Sequence, residues 1–307
     1  MTPQLFGIDF SSRPSRRKPI VVAGGTLRGA VLQLTGLQRF STLDEFGRWL
    51  EVPAAPPPSA AAAQQVPWVG GFDLPFGLPR ELVETLGWPT DWADCISHYA
   101  SMDRAEIRTR FAAFCDARPT GGKFAHRACD RPAGSSPSMK WVNPPVAWML
   151  HAGVPLLRAA GLHLPAHGAV PTLTPAVPQP TVDAAAAPGL PPDGASAPQR
   201  VALEAYPGLL ARELIGRRSY KSDDAARQTA DRLIARKDIV DALEQGRTRL
   251  GLRLKLSAAQ RDGLAADARG DALDATLCLL QAGWALGQPR WGLPADVDPL
   301  EGWITSA

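Results

Sequence analysis

A mixed α/β fold is what this sequence predicts, and three observations predict it. Short apolar runs rich in β-branched residues, bounded by glycine or proline, are interspersed with longer stretches whose apolar residues recur every three to four positions. Three of the short runs precede any helical stretch, so the order is not the strict strand–helix alternation of a dinucleotide-binding fold. Acidic residues then stand where strand-like runs are interrupted or end, at Asp9, Asp73 and Glu204, and as a pair, Asp271 and Asp274, on a helical stretch. A carboxylate inside an apolar run costs free energy unless it has a use.

Along the chain, "QLFGIDF" is the first strand, and "PIVVAGGTL" and "GAVLQLTGLQ" are the next two, close enough to form a meander. "STLDEFGRWL" is a helix: Thr42 caps it, Glu45 completes a capping box, and Leu43, Phe46 and Leu50 form its apolar face. Residues 53–65 lie in a Pro/Ala-rich linker insertion, where the prolines forbid a regular continuation. "PWVGGFDLP" is a fourth strand, apolar enough to be central.

Residues 80–161 form a helical insertion region, with helical spacing in "RELVETLG", "DRAEIRTRFAAFCDA" and "PPVAWMLHAGVPLLRAAG". Between the last two lies a polar, glycine-containing segment suited to a functional loop. Residues 165–198 form a second Pro/Ala-rich loop. "RVALEAYP" is the fifth strand, and a helix follows from about Pro207. "DDAARQTADRLIARKDIVDALEQG" and "SAAQRDGLAADARG" are helical, and "DALDATLCLLQAGWAL" is a long apolar helix packed on the sheet. The whole, residues 1–307, reads as one domain with insertions.

Composition narrows the function classes. A net charge of +3, from 33 basic and 30 acidic residues, is a weak pointer to nucleic acid. The distribution says more: Arg13, Arg16, Arg17 and Lys18 follow the first acidic motif, and Lys123, His126, Arg127, Arg131 and Lys140 form a second basic region. The four cysteines have no CxxC spacing, which points to reduced thiols and no structural zinc. No signal peptide or membrane span is evident, so a cytoplasmic protein is expected. No GxGxxG or GxxxxGK[ST] motif follows a strand.

The acids fit a divalent-metal site. Two-metal phosphoryl transfer needs three or four carboxylates around ions about 3.5–4 Å apart, and Mg²⁺ and Mn²⁺ take oxygen ligands. Asp9, Asp73, Asp271 and Asp274 are the candidate ligands, and Asp9, Asp73, Glu204 and Asp274 the candidate catalytic residues. Asp271 and Asp274 are three apart and share a helix face. Each also has a plain structural use: Asp9 anchoring the Ser11–Ser12 turn, Asp73 capping a turn, Glu204 in a salt bridge or anchoring the Tyr206 loop, Asp271 as a helix N-cap. Ser11, Ser12, Arg127 and Lys221 are candidates for contacting a phosphate; Arg127 and Asp130 either clamp or orient it together or form a local ion pair in a solvated loop. Tyr206 and Trp141 can stack on a base or serve as ordinary half-buried aromatics.

"FGIDFSS", "VGGFDLPFGLP", the Arg127–Asp130 step "RACD", "ALEAYPGLL", the Lys221 region, "DALDATLCLLQAGWAL" and the terminal "EGWI" together resemble the DUF429 family, described as predicted nucleases with a ribonuclease H-like fold. The resemblance implies a five-stranded mixed sheet flanked by helices with the acidic site at its strand ends. It aligns Asp9 with the first-strand aspartate, Asp73 with the acid of the fourth strand, Asp271 or Asp274 with the acid of the last helix, and Glu204 with an E-x-Y-P motif. The activity it implies is metal-dependent phosphodiester hydrolysis of DNA or RNA with Mg²⁺ or Mn²⁺. ATP-dependent phosphoryl transfer on the same fold and a non-catalytic interaction module are the alternatives.

Overall fold

The computed structural model describes residues 3–51, 67–168 and 200–307. The 53–65 segment and residues 169–198 of the second Pro/Ala-rich loop lie outside the described residues. In chain order the elements are β1 (Gln4–Asp9), β2 (Ile20–Arg28), β3 (Val31–Phe40), α1 (Leu43–Glu51), β4 (Trp68–Asp73), α2 (Arg80–Thr85), α3 (Trp92–Ser101), α4 (Arg104–Asp116), α5 (Asp130–Ala133), α6 (Val146–Ala159), β5 (Arg200–Glu204), α7 (Pro207–Ile215), α8 (Ala230–Glu244), β6 (Arg253–Lys255), α9 (Ala258–Ala266) and α10 (Asp271–Leu286).

The strands form one mixed sheet in the order β5-β4-β1-β2-β3-β6. The expected meander is present, with β2 antiparallel to both β1 and β3. On the other side of β1, β4 and β5 run parallel to it. The expected five strands form, but the sheet has a sixth. β6 is three residues long and pairs in parallel with Val31–Gln33 of β3; so short a run leaves no alternation to read. The helix expected from residue 223 starts instead at Ala230, because Asp224 accepts from the Ala226 N–H and holds a short 3₁₀ turn ahead of it. α3, which the sequence analysis does not predict, is opened by Asp91, whose carboxylate accepts from the Asp94 N–H.

Strand periodicity divides the core in two. Phe6, Ile8 and Phe10 of the first strand and its exit, with Trp68 and Phe72 of β4, face the side covered by α1, α2, α3, α4 and α6. There Phe6 meets Trp49 and Trp68 edge to face at 5.2 and 5.7 Å. The helices of the 80–161 region therefore complete a face of the sheet rather than stand apart from it. Leu5, Val69, Val201 and Leu203 point to the opposite side, under α7, α8, α9 and α10.

On that second side α10 lies unusually close to the sheet. Gly7 and Gly71 are register partners on adjacent central strands. A Cβ on Gly7 would fall 2.0 Å from the Ala275 carbonyl oxygen, and one on Gly71 would fall 2.5 Å from the Cys278 carbonyl oxygen. Two bare positions thus let the helix backbone rest on the strands. Each glycine stands two residues before an aspartate, as G-I-D in β1 and G-F-D in β4. The contact that seats α10 therefore also brings its first turn to the ends of these two strands.

Candidate metal centre

Asp9 and Asp73 end parallel neighbouring strands and are paired in register. Parity with Gly7 and Gly71 turns both side chains to the α10 side, with the strands about 4.8 Å apart. Asp274, in the first turn of α10, is fully buried and completes the group. Each of the three carboxylates offers an oxygen, and these oxygens all lie within 4.8 Å of one another. Three elements distant in sequence thus present an all-oxygen donor set, the chemistry that hard divalent cations prefer.

Electrostatics support that fit. Burial pushes the Asp9 carboxyl well above the usual range; Asp274, Asp73 and Asp271 push it the same way, against the pull of Lys221. Asp73 is pushed up to about 7, mainly by burial, with Asp274 and Glu204 adding to it and Lys221 opposing. Tyr220 donates its O–H to Asp274 at 2.5 Å, and the Lys221 ammonium donates to the other Asp274 oxygen. Burial works against the Lys221 charge, but Asp274, Tyr220, Asp9 and Asp73 outweigh it and hold its pKa well above the ordinary value. Three acids facing one ammonium leave a surplus of negative potential that a divalent ion would neutralise.

Asp271 stands one turn ahead of Asp274 but outside the triad, 3.9 Å from the Lys18 ammonium, which pairs at 2.7 Å with Asp223. Asp271 is not the helix N-cap. Gly270 holds that position in the left-handed region, and Asp267 accepts from the N–H groups of Arg269 and Ala272.

Glu204 does not join the triad. It pairs in register with Phe72, whose side chain faces the opposite side from Asp73. Its oxygens are taken at 2.6 and 2.8 Å by Arg127 and at 2.9 Å by the Phe76 N–H. Arg127 is equally committed: it is buried, bonds Asp130 through Nε and Nη2, and donates to the Glu301 carbonyl oxygen at 3.1 Å. Glu301 binds the N–H groups of Arg80 and Ala128 in turn. The "RACD", "EAYP" and "EGWI" motifs therefore meet in one buried ionic network that ties the 118–143 loop and the C-terminal segment to the sheet. Arg127, expected to contact a phosphate, thus has its guanidinium buried and engaged in this network.

Ser11 and Ser12 are half-buried and leave β1 directly after the Asp9 position. Trp141 packs edge-on against Phe124 at 5.6 Å, and Tyr206 accepts a hydrogen bond from Arg212 at 3.2 Å, so both have structural partners. The second basic region does converge: Lys123, His126, Arg131 and Lys140 line one open cavity of about 670 Å³. Sequence reasoning missed Tyr220, Gly7 and Gly71; the repeated G-x-D was the available signal for the glycines. Comparison with family models, with curated proteins and with solved structures gave no match.

Proposed function

We propose that the chain is a divalent-metal-dependent nuclease that hydrolyses phosphodiester bonds of a nucleic acid, with Mg²⁺ or Mn²⁺ held by Asp9, Asp73 and Asp274. One observation carries this: three carboxylates from β1, β4 and α10 present oxygens within 4.8 Å of one another. A ribonuclease H-like fold of the DUF429 kind is part of the reading. It is supported by a three-stranded meander continued by two parallel strands, with acids ending the first and fourth strands and opening the last long helix.

Bound ions would polarise the phosphate and supply a hydroxide-like nucleophile at neutral pH. The chain's own groups prepare for that. Tyr220 fixes the orientation of Asp274, and Lys221 reaches in from the rim to offset the acids. Asp271 lies beside the triad, where it accepts a proton or adds a ligand. Ser11 and Ser12 place hydroxyl and amide donors just beyond Asp9.

The alternatives fare less well. An interaction module gives no reason for three acids, two buried and one half-buried, to converge. ATP-dependent transfer needs room for phosphates beyond β4, yet the turn there is closed: Gly77 packs so tightly against the C-terminal segment that a Cβ would lie 2.4 Å from the Leu300 and Glu301 carbonyl oxygens. Calorimetric titration of Mn²⁺, with cleavage assays on mixed DNA and RNA, tests the proposal. Asp9→Asn abolishes hydrolysis and lowers Mn²⁺ affinity; equal affinity in the native and Asp9→Asn proteins would remove the central claim.

A further inference from the structure

We propose that a groove beside the loop that leaves β1 binds single-stranded nucleic acid, with Arg13, Arg104 and Arg108 on successive phosphates and the Trp148 ring under an unpaired base. The proposal rests on the nuclease reading for its biological sense but stands on separate residues. The groove encloses about 600 Å³ and is lined by Ser12, Arg13, Arg104, Arg108, Thr109 and Trp148. Ser12 is three residues beyond Asp9, so its Cα is within about 11 Å of the Asp9 Cα, a limit set by chain length. Ser12 and Arg13, in the loop that leaves β1 after Asp9, link the groove on the α4–α6 side of the sheet to the triad on the α10 side.

Charge identifies the ligand as an anion. Arg104 and Arg108 are four apart on α4 and share a face. Arg13 comes to the same groove from the loop after β1. Among the described residues none of the three has a carboxylate within salt-bridge distance, and all three line one groove. The nearby acids are engaged elsewhere: Asp103 caps α4 through the Glu106 N–H, and the Glu106 carboxylate takes Arg110. Burial and the Arg13 charge both push the Arg104 pKa below its usual value. Like charges are thus held together at the positive end of a helix, with no counter-ion from the chain.

Trp148 specifies the strandedness. The Arg104 guanidinium lies 5.3 Å from its ring centroid and donates to the Ser12 carbonyl oxygen at 3.4 Å, so ring and cation form one surface. Such a surface stacks on bases that have left a helix, and every base has a face to offer, so binding tolerates sequence. A duplex presents phosphates to the arginines but no base face to the tryptophan.

The test uses the full chain in EDTA, so that binding is read without cleavage. Fluorescence anisotropy is measured with a labelled oligonucleotide of about 12 nucleotides as single-stranded DNA, single-stranded RNA and duplex, a length spanning one single-strand site. Single strands should bind at least tenfold tighter than duplex. Arg104→Ala/Arg108→Ala should weaken binding and reduce the slope of log affinity against log salt by about 1.4, two phosphates at about 0.7 each. Trp148→Leu should cost about tenfold and erase the preference for single strands, while Trp148→Phe retains most of it. Far-ultraviolet dichroism melts confirm that the variants fold, and Arg104→Lys/Arg108→Lys, which keeps the charge, should keep the salt slope. Equal affinity for duplex, unchanged binding by the double alanine variant, or equally tight binding of polyglutamate would overturn the proposal. Tight single-strand binding by a native protein that cleaves nothing would leave the groove standing and remove the nuclease. Metal-dependent cleavage with binding indifferent to these substitutions would do the reverse.

Discussion

Asp73→Asn should stabilise the metal-free protein at alkaline pH and leave it unchanged near pH 4. The Asp73 carboxyl is pushed from 3.8 to about 7, first by burial and then by Asp274 and Glu204, with Lys221 opposing. A carboxyl whose folded pKa is raised holds its proton more tightly in the folded state. Its stabilising contribution is therefore complete below pH 4, the unfolded value, and is lost as pH rises through about 7. Three pH units at about 1.4 kcal/mol each give roughly 4 kcal/mol lost across that window. Asp9, raised for the same reasons, adds loss of the same sign. Asparagine at position 73 removes the term, so at pH 8 the variant should melt on the order of 5–10 °C above the native protein. Calorimetric melts in EDTA at pH 4 and pH 8, on native protein and variant, isolate this as a difference of differences. Saturating Mn²⁺ should cancel the advantage, because bound metal stabilises the native fold and not the variant. A variant that differs from the native protein equally at both pH values would refute the reasoning.

Three other outcomes follow from the geometry. Glu204→Gln should cost about 3–5 kcal/mol in denaturant unfolding, by leaving Arg127 short of a buried partner, while Mn²⁺ affinity stays within about twofold; lost affinity at unchanged stability would return Glu204 to the metal centre. Gly7→Ala should destabilise by about 3 kcal/mol or more and weaken Mn²⁺ binding, since its methyl would meet the α10 backbone; Gly36→Ala, with nothing within 4 Å, is the control and should be near neutral. Lys221→Met should lower metal-free stability at pH 8 and enlarge the melting-temperature increment that Mn²⁺ produces, because the acids lose their resident cation; an unchanged increment would count against that role.

Much of this arrangement is legible in the linear sequence. A carboxylate within "LFGIDF" or "VGGFDLP" is conspicuous because its neighbours are apolar, and strand ends are the places where such a group reaches an edge. Pairing is harder to read. Glu204 ends a strand just as Asp73 does, but facing depends on its being opposite Phe72 rather than Asp73, and one step of register reverses a side chain. The Arg127 network draws on positions 127, 130, 204 and 301, and no local pattern announces a contact across 174 residues. β6 is too short to carry a period, and α3 is announced mainly by the Asp91 cap. The G-x-D repeat was visible in both strands, but its meaning depends on a helix much further along the chain, at Asp271–Leu286.

The seating of α10 on Gly7 and Gly71 has a mechanical consequence. The gap between Asp274 and the two strand aspartates is gauged by backbone contact in the interior, with no flexible loop between. Acids and interior therefore share one degree of freedom. Repulsion among the carboxylates would lever the helix away from the sheet, and a captured cation would draw it down like a clasp. Amide exchange along Ala275–Leu279, the stretch of helix that follows Asp274 and rests on the two glycines, should slow when Mn²⁺ is added, and loss of the ion and melting of the interior should occur as a single event.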